Sequence, residues 1–117
     1  MKKSYGIEII IGLVIFAIVM SVSVYMSFND TEYIVTVTDK ERVEYDGSSQ
    51  YLVFTEDEQG NVIVFENTDN FLRGKWNSSN VQGELKSGHT YKVIVVGYRV
   101  PFLNMYQNII KIEEIEQ

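Results

Sequence analysis

LKSGHTYKVIVVGY, residues 85–98, is the stretch whose reading decides the fold. From Thr90 to Tyr98 the pattern has a period of two. Tyr91, Val93 and Val95 fall on one face and Ile94, Val96 and Tyr98 on the other. A strand half-covered by solvent shows one apolar face, whereas apolar residues on both predict a central strand. Gly97 within this run fits a bulge or the sharp bend that closes a small barrel. Lys86-Ser87-Gly88-His89 supplies the turn that feeds the strand.

Working outward, residues 33–38 alternate, with Tyr33, Val35 and Val37 opposite Thr36 and Thr38, and predict a first strand that residues 40–45 extend. A turn follows at Asp46-Gly47-Ser48-Ser49. Residues 50–55 and 62–66 are β-branched and aromatic, and Gly60-Asn61 between them suits a hairpin with positive φ. Residues 67–85 do not alternate. They read as a long connection with a helical turn around 69–75 and another near 79–85. Residues 99–107 hold Pro101, the only proline, and read as loop or a short helical turn, and 108–115 as the last strand. Five or six short strands with one long loop predict a mainly β fold, a small antiparallel β-barrel, with a β-sandwich as the alternative. A turn running straight into a long twisted strand is similar to the central strand of OB-like domains, so the barrel is expected to be OB-like.

Ahead of the β region, the twenty residues from Ile9 to Phe28 contain no Asp, Glu, Lys or Arg. A helix of that length covers about 30 Å, the thickness of a bilayer's hydrocarbon core. Lys2 and Lys3 precede it and Asp30 and Glu32 follow it, so the lysine bias predicts a cytoplasmic N-terminus and an extracytoplasmic remainder. A cleavable signal peptide is the competing reading, but the apolar run continues through Val24, Tyr25, Met26 and Phe28, longer than a usual signal core. The expected organisation is an anchor over residues 1–28, a linker over 29–32 and one β-domain over 33–117, localised to the cell membrane as a single-pass protein.

Without cysteine the chain has no disulfide, thiolate nucleophile or cysteine metal site. Setting aside Lys2, Lys3 and Glu8 from the 10 Lys+Arg and 16 Asp+Glu leaves eight basic against fifteen acidic residues, a net charge of −7. Such a surface repels phosphate backbones, and no nucleic-acid partner is expected. His89, the only histidine, follows Gly88 at a turn and is expected to be exposed and structural. One histidine without cysteine makes a poor metal centre, and no catalytic residues, metal or cofactor are predicted. Glu56-Asp57-Glu58 reads as a charged hairpin tip, and Asp39, Glu41, Glu44 and Asp46 as a solvated face.

Two loops carry the binding candidates: Phe71, Leu72, Arg73 and Trp76 in one, Arg99, Phe102, Leu103 and Tyr106 in the other. Aromatics beside arginine are the composition of interface hot spots, and loops on a rigid scaffold are where binding groups often sit. Alternatively Phe71, Trp76 and Phe102 plug the barrel ends while Arg73 and Arg99 pair with Asp69 or Glu66. Plugging is the preferred reading for the aromatics, and the arginines stand evenly between the two.

Three blocks, Phe65-Glu66-Asn67-Thr68-Asp69, Leu72-Arg73-Gly74-Lys75 with Asn77-Ser78-Ser79, and Gly97-Tyr98-Arg99-Val100-Pro101-Phe102-Leu103 ending near Tyr106 and Asn108-Ile109, resemble a family of short membrane-anchored proteins of bacteria and their phages. The resemblance spans about 33–115. It implies a bacterial or phage source and a single β-domain, and brings no activity and no catalytic residue. The function expected is a non-enzymatic membrane-anchored binding domain in the cell envelope, engaging an envelope or membrane protein. The alternative is a small-ligand or sugar-binding module with a groove lined by Trp76, Tyr98 and Tyr106.

Overall fold

A computed structural model describes residues 5–45 and 47–115. The first element is α1 (Gly6–Ser27), 22 residues, long and apolar enough to cross a membrane. Its side chains are exposed almost throughout, and the molecule is elongated to 74 × 28 × 27 Å. β1 (Asp30–Tyr45) follows with only Phe28 and Asn29 between, so most of the expected linker 29–32 is already strand. The remaining elements are β2 (Ser48–Glu56), β3 (Val62–Glu66), α2 (Ser78–Glu84), β4 (Thr90–Val96) and β5 (Asn108–Glu114). Turn residue Asp46 of the expected solvated face lies outside the described residues, while Asp39, Glu41 and Glu44 are exposed as expected.

The strands pair in the order β1-β2-β3-β5-β4, and β4 returns to β1, so the sheet closes on itself. One long strand serves two neighbours because β1 bends: residues 30–36 pair with β4 and residues 36–45 with β2, with a bulge between Val37 and Asp39. Not every pairing is antiparallel. β3 meets β5 in parallel through a single pair, Glu66↔Asn108, because the chain crosses between them by way of α2 and β4. The bend expected inside β4 is displaced too. The register shifts between Ile94 and Val95, and Gly97 lies just past the strand with φ +88°. A Cβ there would stand 3.7 Å from Met26 Cε, at the end of α1.

Alternation explains the core. Val35 and Val37, Val53, Phe65, and Tyr91, Val93 and Val95 point inward from successive strands, joined by Ile109, by Val81 of α2 and by Leu85 just past its end. Tyr33 packs tilted on Phe65 with ring centroids 5.4 Å apart. The Tyr91 hydroxyl donates to Glu84 O and accepts from Lys86 N–H, which ties the end of α2 to β4. Gly60 takes φ +83° in the β2–β3 turn, where the Asp57 carboxylate accepts from Gln59 and Asn61 N–H. This expected hairpin is present, with Asp57 employed in holding its own turn.

Register decides what lies at each end. Asp30 pairs with Val96, Val96 with Asn108, Asn108 with Glu66 and Glu66 with Leu52, one rung around the closed sheet. The connections that leave β3 and β4 depart from this rung, which is also the rung that α1 enters. Both candidate loops therefore hang from the end of the domain that carries the long helix.

Candidate functional site: two loop hairpins beside the apolar helix

The two loops are the same structure built twice. Asn70 and Lys75 exchange backbone hydrogen bonds of 2.9 Å each, and Val100 and Met105 do so at 3.0 and 3.1 Å. Inside each, a 3-10 turn (Phe71–Arg73 or Pro101–Leu103) ends on a left-handed residue, Gly74 at φ +68° or Asn104 at φ +52°. Glycine and asparagine are the residues that tolerate this conformation. The first turn is capped by Asn70 Oδ1, which accepts from Leu72 N–H, and the second starts on Pro101, whose missing donor costs nothing there. The expected helical turns at 69–75 and 99–107 are thus present in compact form.

A tight four-residue loop lifts its tip away from the sheet, and this reverses the preferred reading of the aromatics. Phe71 is 69 % exposed, Trp76 71 % and Phe102 86 %, so none plugs the closed sheet. Leu103 is exposed and Leu72 half-buried. Phe71 and Trp76 lie 6.4 Å apart, centroid to centroid.

Neither arginine pairs with Asp69 or Glu66. Arg73 grips the end of α1: it donates to Ser27 O at 2.9 Å, forms a two-pronged ion pair with Asp30, and lies 5.0 Å over the Phe28 ring. The hydrogen bond from Arg73 holds the Asp30 carboxyl below its ordinary range, burial opposing slightly and the opposite charge assisting. Asn70 adds a bond to Ser27 Oγ. From the second loop, the Tyr98 hydroxyl bonds Tyr25 Oη at 3.1 Å with the rings stacked. Arg99 stacks 4.0 Å over Tyr106 and donates to Met105 O. Arg73 and Tyr98 together make a joint that fixes α1 against the sheet.

Behind the first loop lies a polar core that the sequence reading missed. Lys75 is 4 % exposed, and its Nζ donates to Asn67 Oδ1 at 2.6 Å and to Ile109 O. Asn67 donates in turn to Ser78 O and Gln82 Oε1. Asn108 exchanges side-chain bonds with the backbone of Thr68, replacing ladder bonds at the seam where β3 and β5 share one pair. Burial pushes the Lys75 ammonium down to about 8, against the pull of Asp69 and Glu66. Burial likewise raises Glu66, which Gln50 and Lys75 only partly offset. Lys75 follows Gly74 in an apparently exposed loop, and no local pattern marks it as buried.

His89 is exposed, as expected, and pairs with Glu114. Among the described residues no group of three or more His, Asp or Glu is placed to hold a metal ion. No family model, curated protein or solved structure matches the chain.

Proposed function

We propose that the chain is a single-pass membrane protein whose OB-like barrel stands outside the cytoplasm as a binding domain, engaging another membrane or envelope protein close to the bilayer. The apolar helix and the lysines before it support the anchor and its direction. The strand order β1-β2-β3-β5-β4, closed and with an α-helix between β3 and β4, supports the OB-like assignment. The observation that carries the reading is the joint. With Arg73 and Tyr98 fastened to the last turn of α1, a domain on this anchor works at the membrane surface and not at the end of a flexible tether. A phage or prophage source is a narrower proposal that rests on the three resembling sequence blocks.

The small-ligand alternative needs Trp76, Tyr98 and Tyr106 to line one open groove. Tyr98 is stacked on Tyr25 and bonded to it, and Tyr106 lies under Arg99, so two of the three rings are already engaged. The proposal is tested in cells. Protease added to spheroplasts should digest the domain and spare an N-terminal tag. A photoreactive side chain at Arg99 should capture a membrane or envelope protein. A protected domain, or no protein adduct together with inert alanine variants at Arg99 and Tyr106, overturns it.

A further inference from the structure

We infer that the bilayer interface itself receives the tips of the two loop hairpins, with Phe71, Trp76, Phe102 and Leu103 seated among lipid headgroups and upper acyl chains. This rests on the anchored topology proposed above, and differs from the protein-partner reading in the ligand it assigns to these four side chains.

The depth argument starts from α1. Its 22 residues span about 33 Å and a hydrocarbon core is about 30 Å, so a spanning α1 uses its whole length and its last turn lies at the interface. What is bonded to that turn lies at the same depth. Arg73 holds Ser27 O, and Tyr98 holds Tyr25, which sits about 3 Å nearer the membrane centre along the helix axis. Arg73 belongs to the first loop hairpin, and Tyr98 stands two residues before the second. The exposed tips therefore stand beside the helix at the level where membrane proteins carry their aromatic belts.

Chemistry agrees with depth. The domain is strongly acidic, yet residues 70–83 and 97–112, which include both hairpins, contain no carboxylate; their charges are Arg73, Lys75, Arg99 and Lys111. Lys75 is buried in the seam, Arg73 is paired with Asp30 and Arg99 lies 4.0 Å over the Tyr106 ring, so no negative charge within either hairpin opposes entry among the headgroups. An aqueous domain gains nothing from solvating Phe102 at 86 % exposure, whereas an interface takes such a ring roughly 5–10 Å into the headgroup–acyl boundary.

Trp76 is the only tryptophan and reports the contact without labelling. The full chain is reconstituted in phosphatidylcholine liposomes, with and without bromine on the upper acyl chains and with no other protein present. Trp76 emission should shift to the blue, be quenched by the brominated lipid and be shielded from iodide. A Trp76→Phe, Phe102→Trp double variant should behave the same way from the second hairpin. Flotation with the liposomes reads the anchor separately. A chain that floats while both tryptophans remain open to iodide and indifferent to bromine overturns the inference and leaves the anchor standing. A chain that does not float overturns both. In native membranes a photoreactive group at position 102 should label lipid, and protein adducts in place of lipid overturn the assignment.

Discussion

Replacing Lys75 by methionine tests the seam directly, and its signature lies in the pH dependence. The substitution keeps most of the aliphatic stem and removes the ammonium, leaving Asn67 Oδ1 and Ile109 O without their donor. Two buried acceptors so orphaned cost on the order of 1–3 kcal/mol each. Against that stands the ammonium's own burial, which brings its pKa from 10.5 to about 8. A lysine whose folded pKa lies below its unfolded value weakens the fold while charged. Stability then rises with pH from the folded value toward the unfolded one, because the unfolded state holds more protons in that window. One proton gives a slope of at most about 1.4 kcal/mol per pH unit, and a total on the order of 2–3 kcal/mol once solvent screening near the mouth of the sheet is allowed for. At pH 7 the two contributions roughly cancel, and Lys75→Met should be close to the parent in stability. Between pH 8 and 10 the parent gains, because a neutral amine still donates both bonds, while the variant does not share this gain. Urea unfolding of both proteins at successive pH values gives the difference, in which the tyrosines common to both cancel. Parallel curves across pH 8–10 would refute the reading that burial holds the Lys75 ammonium below its ordinary value while its amine keeps both bonds.

Other expectations are simpler. Glu66→Gln should raise the thermal midpoint slightly at pH 7 and lose that advantage as the pH falls through the raised folded value to the ordinary carboxylate one, since burial disfavours the charged form. Gly74→Ala should cost about 1 kcal/mol by denaturant unfolding, because φ +68° is strained for any Cβ, while Asn104→Gly at the matching position should be tolerated. Arg73→Ala should leave the domain folded but loosen the joint. Spin labels on α1 and on β2 should then show a broadened distance distribution, and an unchanged narrow one would contradict the bracing role assigned to Arg73.

Legibility followed locality. The apolar helix, the β2–β3 hairpin on Gly60, the alternating β4 and even the two short helical turns were readable, because each depends on neighbours within a few residues. The parallel contact of Glu66 with Asn108 was not, since it joins residues 42 apart and exists only once the sheet has closed. The outward placement of Phe71, Trp76 and Phe102 is not legible from composition, because folded surfaces are largely apolar and burial is informative mainly for polar groups. The repeated hairpin was hidden because Asn70-Phe71-Leu72-Arg73-Gly74-Lys75 and Val100-Pro101-Phe102-Leu103-Asn104-Met105 share a backbone and not a side-chain pattern. The one common signal is a left-handed-tolerant residue, Gly74 or Asn104, three after the first turn residue.

Lys75 and Trp76 bring the seam and the surface into one segment. They are adjacent on the returning arm of the first hairpin, and neighbouring side chains on an extended arm point opposite ways. Lys75 is consequently driven into the seam between Asn67 and Ile109, and Trp76 is held outward beside Phe71. The same hairpin's Arg73 reaches the end of α1. A loop tied at one point to the interior and at another to the apolar helix has little freedom to swing. The exposure of its tip is then a consequence of these attachments and not of local disorder, which is why the hairpin can offer a fixed apolar face without a core of its own. The second hairpin lacks the buried lysine and has instead Tyr98 against Tyr25 and Arg99 on Tyr106, a set that uses surface rings for the same fixing. If the seam governs the first tip, the titration that moves the stability of Lys75 should also move the emission of Trp76, one residue away, while the emission of a tryptophan placed at position 102 stays constant.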